Sequence, residues 1–107
     1  MIYSNRALRT MKKIGHDLSL SRRKRLISMK SLAERAGTSV DTIRRLERGD
    51  TKVAWGTVVA VLETLGQLPP LAEVADSSKD ELGIGLMESA LPKRIHSRKI
   101  TPETGAI

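Results

Sequence analysis

The 107 residues contain no cysteine, which excludes a disulfide frame, a thiolate zinc site and a cysteine nucleophile. Aromatic side chains are nearly as scarce, with Tyr3, Trp55 and no phenylalanine. Single-stranded nucleic acid is held chiefly on exposed aromatic faces, so that mode has little to work with, the more so because Trp55 is expected in the core. No apolar run reaches the length needed to span a bilayer. The opening stretch MIYSNRALRT lacks the apolar centre of a secretory signal, and a reduced, cytoplasmic setting without a membrane partner is the expectation. His16 and His96 are far apart and lack ligand spacing, so no metal or other cofactor is expected. A phosphate-cradling glycine loop is absent, and Gly83 with Gly85 is too little for a nucleotide fingerprint. No nucleophile–base pair suggests itself, so catalysis is not expected.

What the chain has in quantity is positive charge, unevenly placed. The formal net charge is +7, with 19 Lys and Arg against 12 Asp and Glu. Residues 1–52 carry +9, residues 53–91 carry −5 and residues 92–107 carry +3. A basic half beside an acidic segment suits a polyanion together with a protein partner.

Helical periodicity runs through most of the chain. Ser4 can cap a helix over 5–26, bent at Gly15, with Leu8, Met11, Leu18 and Arg22 at helical spacing. Ser28 can cap a second over 29–36, stopped by Gly37, with Met29, Leu32, Ala33 and Ala36 inward. Ser39 can cap a third over 40–48, ended by Gly49. It turns Val40, Ile43, Leu46 and Glu47 inward and Asp41, Thr42, Arg44, Arg45 and Arg48 outward. Residues 55–65 are rich in valine, which favours strands, yet Trp55, Val58, Val59, Leu62 and Leu65 recur with a helical period, which predicts a fourth helix. Pro69 and Pro70 are expected to break the chain. Short helices are expected over 71–75 and 79–89, and the tail over 92–107 is expected to be disordered when alone.

Two short helices joined by a glycine turn, the second carrying outward Arg and Ser/Thr, fit a helix-turn-helix over 28–49. The segment resembles the Cro/C1-type (lambda-repressor-like) helix-turn-helix proteins through LAERAG at 32–37, Ser39, Ile43 and LERG at 46–49. The later stretches GTVVAVLETLG at 56–66, DELG at 80–83 and LPKR at 91–94 resemble HipB-type proteins, the DNA-binding partners of HipA-type kinase toxins.

The resemblance implies a role for each matching residue. Gly37 makes the turn. Glu47 is the buried carboxylate paired with an arginine of the first helix, here Arg22. Ser28 and Met29 lie where the second helix meets the DNA backbone, although a methionine cannot donate a hydrogen bond to phosphate. Ser39, Val40, Asp41, Thr42, Arg44 and Arg45 belong to the recognition helix, with Val40, Asp41 and Arg45 at base-reading positions. Lys52 lies in the loop that touches phosphate. Elementary chemistry agrees for arginine, whose fork matches guanine O6 and N7. Asp41 has two readings, accepting from cytosine N4 or stabilising its own helix dipole. Val40 has two as well, a thymine methyl contact or the core.

The expected fold is therefore all-α, a helix-turn-helix bundle of four to five helices with a C-terminal extension. Residues 1–66 form the DNA-binding domain, 67–91 an acidic helical extension for dimerisation or partner binding, and 92–107 the basic tail. The resemblance implies a homodimeric repressor on palindromic double-stranded DNA, the autoregulating antitoxin of a HipA-type kinase operon. The alternatives are a stand-alone phage-type or housekeeping regulator, and a kinase-binding antitoxin for which DNA binding is secondary.

Overall fold

Serine hydroxyls open the first three helices of the computed structural model, which describes residues 2–90. Helix α1 (Asn5–Lys24) starts at Ser4, whose Oγ accepts the Ala7 N–H at 3.0 Å. Helix α2 (Met29–Ala36) starts at Ser28, which accepts from the Ser31 N–H, and α3 (Val40–Glu47) at Ser39, which accepts from the Thr42 N–H. Each cap satisfies an amide that the helix itself leaves without a partner. Helix α4 (Trp55–Thr64) begins after Ala54 with no side-chain cap. Helix α5 (Leu68–Val74), a 3₁₀ turn at Ser77–Lys79 and α6 (Glu81–Ala90) follow. The architecture is all-α, and no strand occurs among the described residues. The LPKR stretch and the tail 92–107 lie outside them. No helix among the described residues is long and apolar enough to cross a membrane.

Helices α1 to α4 all end in the same way. A residue with positive φ follows the last turn, and two backbone N–H groups fold back onto the final carbonyls. Gly37, Gly49 and Gly66 supply that residue after α2, α3 and α4, with φ of 72°, 83° and 74°. After α1 the residue is Leu26, φ 57°, with the Leu26 and Ile27 N–H groups donating to the Arg23 and Arg22 carbonyls. A helix over 5–26 was the expectation; the helix stops at Lys24 because Leu26 takes a conformation normally left to glycine, which no sequence signal marks.

The core joins Leu18 of α1, Leu32 and Ala33 of α2, Ile43 and Leu46 of α3, and Val61 and Leu65 at α4. Helix α2 packs on α3 and α4, and α1 packs on α3. Gly15 is buried within α1. A Cβ there would stand 2.5 Å from the Leu46 carbonyl oxygen and 2.7 Å from that of Glu47. The glycine lets α1 lie directly against the end of α3.

Two further expectations are corrected. Trp55, placed in the core by its spacing, is 67% exposed. The packed stripe of α4 keeps the expected Val58, Leu62 and Leu65 and adds Val61, with Val61 and Leu65 buried and Val58 and Leu62 half-buried. Trp55 is the first residue of α4. Pro69 and Pro70 do not break the chain but occupy the first turn of α5, where a missing N–H leaves no hydrogen bond unmade.

The chain divides into two units, Met1–Leu71 and Ala72–Ile107. Within the second, the side chain of Asp80 caps α6 by accepting the Gly83 N–H at 3.0 Å. Helix α6 buries none of its residues, and Leu82, Leu86 and Met87 are exposed.

Candidate nucleic-acid interface

The candidate interface is built on α3, whose inner stripe is Ile43 and Leu46 and whose opposite side carries the charge. Its orientation is fixed from behind by an ion pair. Arg22 Nε donates to Glu47 Oε2 at 2.7 Å and Nη2 to Oε1 at 3.1 Å, a bidentate arrangement. The remaining nitrogen, Nη1, donates to the Ile27 carbonyl at 3.0 Å. One guanidinium thus ties together α1, the loop before α2 and the end of α3. Arg22 is only 8% exposed, and the Glu47 hydrogen bond holds its guanidinium in the charged form, against the opposing effect of burial. Among the described residues no buried side-chain nitrogen or oxygen lacks a partner.

The turn into α3 is compact. Gly37, at φ 72°, reverses the chain after α2, and its N–H and that of Thr38 return to the Glu34 and Ala33 carbonyls. Ser39 Oγ lies 2.9 Å from Thr42 Oγ1, so these two hydroxyls form one exposed polar pair at the head of α3. Asp41 is exposed in the first turn, and Arg44 Nη1 stands 3.7 Å from its Oδ1. Asp41 is therefore at once a dipole partner and an ion-pair partner. Val40 is half-buried and packs against the core, so part of its side chain is already committed. Met29 is placed likewise, at the first position of α2, with exposed Ser28 and Lys30 on either side.

Arg45 does not extend freely. Its Nε donates to Asp50 Oδ2 at 2.9 Å, and Asp50 Oδ1 accepts the backbone N–H of Lys52 at 2.7 Å. The side chains of Arg45 and Asp50 are 38% and 31% exposed. The Arg45 hydrogen bond, then the Lys52 amide, hold the Asp50 carboxyl below its ordinary range, and Asp50 in turn holds the Arg45 guanidinium charged. Lys52 is exposed, and its ammonium enters no ion pair among the described residues.

The structure therefore brings Ser39, Asp41, Thr42, Arg44 and Arg45 onto or beside one helix face, with Lys52 on the loop that follows. Ser28 and Met29 are at the start of the preceding helix. The residue that sequence reasoning left out is Asp50. Its signal was available: an aspartate directly after a helix-ending glycine commonly accepts the amide two residues on. Its bond to Arg45, five positions back, depends on how the chain turns at Gly49.

Comparison with known families matches residues 13–75 to the family described as Helix-turn-helix domain. No curated protein and no solved structure matches the chain.

Proposed function

Because the chain belongs to the helix-turn-helix domain family, we propose that it is a transcriptional regulator that reads double-stranded DNA with α3. The observation that carries this reading is the paired construction of that helix. Its inner side is clamped to α1 by Arg22 and Glu47, and its outer side offers Arg44 and Arg45 beside hydroxyls that suit phosphate or base edges. A major groove admits one such helix, and arginine is its best reader of guanine. The +9 charge of residues 1–52 supplies the attraction to phosphate that acts on every sequence. Two copies related by a twofold axis would set their α3 helices into successive grooves, about 34 Å apart, so a homodimer on a palindromic site is part of the reading.

The finer reading is a repressor that is also the antitoxin of a HipA-type kinase toxin. It is supported by the resemblance of residues 56–66 and 80–83 to HipB-type proteins and by the exposed Leu82, Leu86 and Met87 of α6, an apolar set suited to a protein partner. A stand-alone regulator shares the DNA chemistry and lacks the kinase partner. Co-expression with kinase-like chains encoded beside this one separates them: a stoichiometric complex supports the antitoxin, and none supports the stand-alone regulator.

Enrichment of randomised duplexes by the purified chain tests DNA reading. One motif with dyad symmetry is expected. Arg45→Ala is then expected to lose roughly tenfold or more on that motif and to relax one base pair. Lys52→Ala is expected to weaken all duplexes alike and to make the salt slope shallower by about one unit. If Arg45→Ala lowers motif and random-duplex binding equally, Arg45 does not read a base.

A further inference from the structure

Beside the arginines of the α3 face stand two groups with the wrong sign for a polyanion, Asp41 in the first turn and Asp50 in the loop that follows. Asp50 stands in the loop between Arg45 and Lys52, in the half of the chain where positive charge dominates. By charge alone it repels phosphate. Its geometry nonetheless engages both carboxylate oxygens, one on the Arg45 Nε–H at 2.9 Å and the other on the Lys52 backbone N–H at 2.7 Å. We propose that Asp50 is a positioning residue for base recognition, which fixes the direction of the Arg45 guanidinium and the course of the loop that presents Lys52. The inference rests on the DNA-reading function proposed above.

A free arginine side chain samples many rotamers, and its guanidinium can meet a base through either the Nε edge or the two Nη groups. With Nε held by Asp50, the Nη pair remains for the partner. Two parallel donors at the end of a fixed stem match guanine O6 and N7 and fit the other base pairs poorly. Asp50 therefore trades general attraction for discrimination. It also links the two kinds of contact, because the carboxylate that orients the base reader shapes, through the Lys52 amide, the loop that approaches the backbone.

The two quantities respond differently. In Asp50→Ala, random-duplex affinity is expected to change little, since the negative charge lost beside the phosphates offsets the loosened Lys52 loop. Discrimination at the base pair read by Arg45 is expected to fall by about tenfold. Asp50→Asn keeps an oxygen for the Lys52 amide but loses the charge-assisted bond to Arg45, and its discrimination should fall between the two. In an Arg45→Ala background, Asp50→Ala should change discrimination no further.

The experiment is duplex enrichment with the full chain and its Asp50→Ala, Asp50→Asn and Arg45→Ala variants, followed by competition binding at each motif position. Loss of preference at one position, shared by the Asp50 and Arg45 variants, supports the proposal. A motif enriched equally by wild type and Asp50→Ala overturns it while leaving the DNA-reading function intact. Equal loss on all duplexes by both Asp50 variants, with lowered melting temperatures, also overturns it and makes Asp50 a loop-stability residue only. A wild-type chain that enriches no sequence overturns the function and this proposal together.

Discussion

Arg22 and Glu47 show what a single buried pair does in so small a fold. Taken singly, each is a charge in a place that cannot solvate it, and together they complete three hydrogen bonds with the Ile27 carbonyl as the third acceptor. Removing one partner strands the other, at about 3–5 kcal/mol. Glu47→Ala is accordingly expected to melt far below wild type, whereas the apolar replacement Arg22→Met with Glu47→Leu should recover most of the loss, because no charge is left buried. Thermal melts of the three proteins check this, and a Glu47→Ala protein that melts like wild type would show the pair to be dispensable. Asp50 gives the pH dependence. Its carboxyl lies below the ordinary value of 3.8 in the folded chain. A lowered folded value means that its contribution is complete above the unfolded value and is lost as pH falls through the folded one. The melting difference between wild type and Asp50→Asn is expected to be constant from neutral pH down to about 5 and to shrink in stronger acid. A difference that varies between pH 6 and 8 would contradict that assignment.

Elements in this chain are defined by their ends more than by their propensities. The valine-rich α4 is a helix because its apolar period is helical and its stripe finds Leu32 and Ala33 of α2 to bury against, which outweighs the strand preference of its residues. The ends of α1 to α4 share one backbone motif, and α1 alone completes it without glycine. Leu26 is 93% exposed there, so it sits in a left-handed conformation without packing in return. Leu26→Gly is expected to raise stability by about 0.5–1 kcal/mol, the relief of that conformation less the added freedom of the unfolded glycine. Gly15→Ala should do the reverse and cost about 1–3 kcal/mol or more, because the new methyl meets backbone carbonyls of α3 rather than flexible side-chain tips. Chemical denaturation of both variants reads the two signs directly, and a neutral Gly15→Ala would mean that α1 can move away from α3.

At the scale of the whole molecule, the seven buried core residues among the described residues run from Leu18 to Leu65, within the unit that ends at Leu71. A fragment of residues 1–71 is expected to remain helical and to unfold within about 5 °C of the full chain, since a small loss of burial shifts the melting point of a domain this size by only a few degrees. Its affinity for the enriched duplex should nonetheless fall, because residues 72–107 are proposed to serve assembly or a protein partner rather than the core. Circular dichroism melts and sedimentation of the fragment test both halves of the statement. A fragment that does not fold would make the extension part of the domain. One that assembles and binds like the full chain would remove the assembly role.

Sequence alone determined the local features, because they rest on short-range chemistry. Serine hydroxyls reach amides three residues ahead at Ser4, Ser28 and Ser39, glycines supply positive φ at Gly37, Gly49 and Gly66, and the helical period of α2 and α3 separates an apolar from a charged face. The all-α class and the charged outer face of α3 follow from these. What only the tertiary structure decided depends on where distant groups meet. Apolar spacing set Val58, Leu62 and Leu65 on the packed side of α4, but only the packing itself buried Val61 and left Trp55 exposed. Gly15 reads in sequence as a weak point of α1, and the approach of α3 makes it a contact. Asp50 reads as a turn residue, and only the reversal at Gly49 brings its carboxylate to Arg45. A hydrogen bond within one turn is encoded by spacing, whereas a bond across a turn is encoded by the geometry of everything that folds the chain back.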